Sequence, residues 1–119
     1  MKVDLSKVDY SGREYEFGGA KLTIRPYPAS RTDVQFRDGA IVLSGSSARD
    51  MFIYCLSKWE NVVGSDDKPL KLTDDVKRKI FDFRLISADD EDGNPVTMSD
   101  FVIRKAREMS EEITADAKN

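Results

Sequence analysis

The chain changes its hydrophobic period once, and the change falls within residues 46–73. Ahead of this stretch apolar residues mostly alternate, as in strands that bury one face; behind it they recur at helical spacing. A chain divided in this way predicts an α+β domain. The stretch itself carries the only tryptophan and the only cysteine and reads as the helix that joins the two halves. Phe52, Ile53, Cys55, Leu56, Trp59, Val62 and Val63 form one broad apolar stripe, which predicts a helix over 48–63. Ser47 and Asp50 stand at capping-box spacing, and Gly64 stands where a C′ glycine ends a helix. Such a helix would be the spine of the fold, with Trp59 buried between the sheet and a later helix.

In the N-terminal half, residues 1–12 read as an edge strand or an arm, because Val3 and Leu5 alternate with charges before the pattern lapses at Val8. Tyr15 and Phe17 share one side of the next segment, and Gly18-Gly19 marks a hairpin into 21–27. There Leu22 and Ile24 alternate with Lys21, Thr23 and Arg25, until Pro26 and Pro28 end the strand for want of a ladder donor. Val34 and Phe36, then Asp38-Gly39, then Ile41 and Leu43 make the strongest hairpin signal, since Asp-Gly tolerates the positive φ of a tight turn. The expected sheet is therefore N-terminal and antiparallel, of four to five strands, followed by three helices packed on one face.

In the C-terminal half, Thr73 is placed to cap a second helix, with Asp74 and Asp75 against its positive end. Val76, Ile80 and Phe83 form its predicted buried stripe, and Leu85 and Ile86 carry apolar character to its end. Residues 87–95 are acidic and turn-rich. A third helix is predicted from Thr97 or Ser99, with a stripe of Val102, Ala106, Met109 and Ile113 and with Phe101 beside it. Residues 114–119 are polar and are expected to fray. A chain of 119 residues suffices for one domain with its own core, and no boundary interrupts 1–119.

The residue chemistry narrows the function classes. A net charge of −3 gives no electrostatic case for binding nucleic acid. No apolar run approaches membrane-spanning length, and 1–10 lacks a signal-peptide pattern. Histidine is absent, which removes the commonest general base and zinc ligand and any Ser/His/Asp triad. Cys55 falls on the apolar stripe and reads as a buried structural thiol with no base to activate it. With Gly93 aligned to the glycine of a calcium loop, Asp90 and Asp92 occupy ligand positions. Ala88 and Ser99 then occupy the first and twelfth, where aspartate and glutamate are needed. The residues thus lead to a soluble domain with no expected cofactor, metal or catalysis.

One succession of motifs leads further. The strand K-L-T-I-R-P-Y-P (21–28) is followed by C-L-S-K-W-E-N-V-V-G (55–64), D-K-P-L (67–70) and T-D-D-V-K-R-K-I-F-D-F (73–83). From about Gly12 to Lys105 this resembles the small tail assembly chaperones of long-tailed, siphovirus-type bacteriophages. The resemblance implies an assembly factor rather than an enzyme. It would bind the tape-measure protein in the host cytoplasm and keep it soluble until tail tube subunits polymerise around it. It would be absent from the mature virion. Homo-oligomers and contact with the tube protein fit the same picture, and a programmed frameshift often appends a second domain in this family. The competing classes are another phage structural or adaptor protein (tail completion or head–tail joining), a small inhibitor of a host protein, and a bacterial domain with a small ligand.

A holdase needs apolar residues left over from its own core. On the third helix Phe101 and Ile103 lie about 100° to either side of Val102, so one flank is expected to face a partner. Met109 would be an adaptable contact there, framed by Arg104, Lys105 and Arg107. The leading expectation, ahead of this one, is that the helix is wedged between neighbours and buries both flanks.

Overall fold

Ile24 and Leu22 are fully buried on the central strand of a three-stranded antiparallel sheet. The computed structural model describes residues 1–31, 34–38, 40–43 and 45–117. Its elements are β1 (Arg13–Phe17), β2 (Ala20–Ile24), β3 (Val34–Arg37), β4 (Ala40–Leu43), α1 (Gly45–Cys55) and β5 (Leu56–Glu60), then α2 (Asp74–Asp82), β6 (Ser87–Asp89), β7 (Pro95–Thr97) and α3 (Met98–Ala117). The α+β class and the three helices match expectation; the four-to-five-stranded sheet does not. The strands form one sheet in the order β1-β2-β5 and two separate hairpins, β3-β4 and β6-β7.

Both predicted hairpins form. Phe17 pairs with Ala20 across Gly18 and Gly19, both at positive φ, as the tight turn requires. Phe36 pairs with Ile41 and Arg37 with Ala40, with Asp38 at φ 51° in the turn. The apolar face predicted for this second hairpin, the capping role of Ser47, and the residues Thr32, Asp33, Gly39, Ser44 and the last two of the tail lie outside the described residues. Residues 1–12 enter no strand and form an arm with Val3 and Leu5 exposed. α3 continues as helix through Ala117, beyond the predicted end.

The main correction concerns the spine. α1 ends at Cys55, and Leu56–Glu60 is not helix but the third strand of the sheet. Arg25 N–H donates to the Cys55 carbonyl at 2.9 Å, Arg25 Nε to the Tyr54 carbonyl at 2.7 Å, and Lys77 Nζ to the Ile53 carbonyl at 2.8 Å. These donors come from the end of β2 and from α2. They satisfy carbonyls that a continuing helix would have engaged itself, with cations at the negative end of the dipole. β5 then pairs Lys58 with Thr23 and Leu56 with Ile24, so Ser57 is an extra residue and the strand bulges. The bulge turns Leu56 and Trp59, three residues apart, toward the same side. Helical spacing is thus produced by a strand. Gly64 ends no helix; its N–H donates to the Lys68 carbonyl inside a tight loop.

One face of the sheet packs beneath α1 and α3. Leu22, Ile24, Leu56, Phe52, Met51, Cys55, Met98 and Val102 form the centre of the core, and Ile80 joins from α2. Thr73 caps α2 as expected, its hydroxyl accepting the Val76 N–H at 3.2 Å. Thr97 does the same for α3, accepting from Asp100 N–H at 3.3 Å. Trp59 is only half-buried. It lies on β5 opposite Leu22, with Nε1 donating to the Leu70 carbonyl at 2.8 Å, rather than between the sheet and a later helix.

Candidate interaction site

The six residues predicted to form a partner-binding flank on α3 separate into three groups. Phe101 and Met109 belong to the core, at 3% and 4% exposure. The Phe101 ring lies 4.9 Å from that of Phe17 and meets Tyr15 edge-on at 6.2 Å, so the hairpin β1-β2 covers it. Arg104 and Lys105 are engaged by the acidic turn between β6 and β7. Arg104 reaches Asp90 and Glu91, each at 3.1 Å, and Lys105 reaches Glu91 at 3.1 Å and Glu108 at 3.4 Å. Ile103 is half-buried against the core and Arg107 is exposed; both line a shallow hollow with Asp100 and Glu111. The Phe101 flank of α3 is therefore covered, and the Ile103 flank is covered only in part. Sequence reasoning missed that β1 and β2 fold over the Phe101 side, because nothing local to α3 encodes it.

The turn that holds Arg104 also carries Asp90 and Asp92, the two calcium-loop positions that the sequence fills. The Asp90 carboxylate accepts N–H groups of Asp92 and Asn94, each at 2.9 Å, and pairs with Arg104. The Asn94 N–H bond first, and then Arg104, hold its carboxyl below the usual carboxylate range. Its oxygens thus organise the turn and dock it on α3. No cluster of metal-ligating side chains occurs among the described residues. Cys55 is fully buried, and burial pushes its thiol up to about 12.

The outward face of the sheet is polar. Glu14, Thr23 and Lys58 line up across the three strands, and Glu16, Lys21 and Glu60 form the neighbouring rung. Charges of both signs alternate along it, with Lys21 4.0 Å from Glu14, so the face has neither an apolar stripe nor a dominant sign.

Apolar side chains are left uncovered elsewhere, at the corner where α2 ends. Phe83 is 75% exposed, Leu85 46% and Ile86 39%. Phe83 was expected on the buried stripe with Val76 and Ile80, but α2 stops at Asp82 and Phe83 is its C-cap, turned out of helical register. The stop is a Schellman turn. Arg84 N–H donates to the Phe81 carbonyl at 3.3 Å and Leu85 N–H to the Ile80 carbonyl at 3.0 Å, with Arg84 at φ 49°. Ile86, also left-handed at φ 64°, accepts the Met98 N–H at 2.9 Å. One sequence signal could have revealed this corner. F-D-F-R-L-I (81–86) carries four apolar residues at the end of a nine-residue helix, more than one narrow stripe can bury.

Two arginines flank the corner. Asp82 is held by a two-pronged pair with Arg49, Nε at 2.9 Å and Nη2 at 2.8 Å. That pair above all, with Arg78 nearby, keeps its carboxyl below the usual range. Arg78 and Arg84 are exposed and form no ion pair among the described residues.

No family model matches the chain, and no curated protein or solved structure matches it. Among the described residues, no helix is long and apolar enough to cross a membrane.

Proposed function

We propose that this protein is a phage tail assembly chaperone that binds the tape-measure protein during tail building and keeps it soluble until the tube polymerises around it. The reading rests first on the motif succession over 21–83, which resembles that family across most of the chain. The structural observation that carries it is the uncovered corner of Phe83, Leu85 and Ile86 on an otherwise well-filled core. A holdase has to mask apolar stripes reversibly, and exposed apolar side chains held by a hydrogen-bonded turn suit that task.

A binding role also agrees with how the reactive groups are used. The single thiol is buried with a raised pKa, and Asp90, Glu91 and Asp82 are committed to ion pairs that hold turns and helices together. In this reading the protein acts in the host cytoplasm, needs no cofactor, and is left behind when the virion matures.

Co-expression tests the proposal. A tape-measure fragment that precipitates alone is expected to stay soluble with this chain and to be captured by it. Mass spectrometry of purified particles is expected to find the tape-measure and tube proteins but not this one. Stoichiometric recovery of the chain from washed virions would instead identify a tail-completion or head–tail joining subunit.

A further inference from the structure

We infer that the corner of Phe83, Leu85 and Ile86, framed by Arg78 and Arg84, is a seat for an acidic amphipathic helix. The assignment relies on the chaperone reading only for the identity of the client, not for the chemistry of the seat. Three observations support it. The first is exposure: three large apolar side chains within four residues remain open to solvent at one turn.

The second is charge. The chain as a whole carries −3, yet at this corner Arg49 neutralises Asp82, and Arg78 and Arg84 form no ion pair among the described residues. The patch is therefore locally positive. Its apolar centre with a cationic rim matches an apolar stripe flanked by carboxylates, and long-range attraction would speed encounter with such a partner.

The third is the state of the backbone. The N–H groups of Phe83, Arg84 and Leu85 are bonded to carbonyls of α2, and the Ile86 carbonyl is bonded to Met98 N–H. An extended peptide adding as a strand would need these groups for its own ladder. A partner that brings its backbone already satisfied, as a helix does, loses nothing by docking here. The turn also places arginine at a left-handed position where glycine would fit without strain. That choice keeps a cation beside Phe83 and Leu85.

The test uses two helical peptides with the same leucine stripe, one flanked by glutamates and one by lysines, titrated against the full chain at low and moderate salt. Wild-type protein is expected to prefer the glutamate-flanked peptide by at least about tenfold, with the preference falling as salt rises. Phe83→Ser, at an exposed position, is expected to weaken binding about tenfold without lowering Tm. Arg78→Glu with Arg84→Glu is expected to reverse the preference. Equal binding of both peptides, binding of neither, or an unaffected Phe83→Ser variant would overturn the seat. A tape-measure fragment provides the separate readout. Capture of the fragment by Phe83→Ser as strongly as by wild type would refute the seat and keep the chaperone reading. Binding of the acidic peptide without any capture of the fragment would do the reverse.

Discussion

Arg84 shows how one side chain can be set against its own backbone. It occupies the C′ position of α2 at φ 49°, where an L-residue is strained by roughly 1 kcal/mol and glycine is not. Its backbone bonds would survive substitution, and its side chain is exposed. Arg84→Gly is therefore expected to stabilise the fold by about 1 kcal/mol and raise Tm by a few degrees in thermal melts. An unchanged or lower Tm would mean that the arginine side chain contributes to stability in a way its contacts do not show. At this scale the chemistry of single residues was largely legible. Cys55 is buried as its place on the apolar stripe implied, and Thr73 caps as its spacing implied. Phe83 was not legible, because its exposure depends on where the helix stops and not on its own nature.

At the scale of elements, α1 and β5 are one apolar run with two conformations. Leu56 and Trp59 face the same side in either a helix or a bulged strand, so spacing alone could not distinguish them. The choice is made by groups distant in sequence, chiefly Arg25 and Lys77, which take the carbonyls at the end of α1. Loop 61–73 then folds back along β5, with Leu70 N–H donating to the Val62 carbonyl at 2.9 Å and Trp59 holding the Leu70 carbonyl. Trp59→Ala is expected to cost about 2 kcal/mol, below the ~3–5 of a fully buried aromatic. Trp59→Phe, which keeps the ring but drops the N–H donor, should cost about 1 kcal/mol. Urea denaturation distinguishes them; equal losses for both variants would show that the hydrogen bond, not ring packing, secures the loop.

For the whole molecule, two protonated groups tie stability to alkaline pH. Burial pushes the Cys55 thiol up to about 12. The Tyr27 hydroxyl is pushed up to about 12 as well, first by burial and then by its hydrogen bond to Asp50, which a phenolate would face as a like charge. Both pKa values are raised in the fold, so their contribution is complete below the ordinary values of 9.0 and 10.0 and is lost as pH climbs toward about 12. Lys77 works the other way. Burial lowers its ammonium pKa, so neutralising it relieves a cost as pH approaches the ordinary 10.5. The shifts of Cys55 and Tyr27 are the larger ones, and the urea midpoint is expected to fall between about pH 9 and about pH 11. Tyr27→Phe and Cys55→Ala should each flatten that fall, and Lys77→Met should steepen it. A wild-type midpoint that rises over this range would assign the dominant role to Lys77.

Local pattern by itself determined the α+β class, the two tight hairpins, the capped starts of α2 and α3, and the apolar stripe of α3 through Val102, Ala106 and Met109. Each of these is set by neighbours within a few residues, through turn dihedrals, cap hydrogen bonds and side-chain period. Tertiary structure decided the rest. Whether 56–60 is helix or strand depends on an exposed edge of β2 and on two cations that reach the end of α1. Whether Phe101 faces a partner depends on the β1-β2 hairpin folding over it, and whether Phe83 does depends on the turn that follows α2. Sequence period shows how many residues can share a face; only the packed chain determines which face is left for a partner.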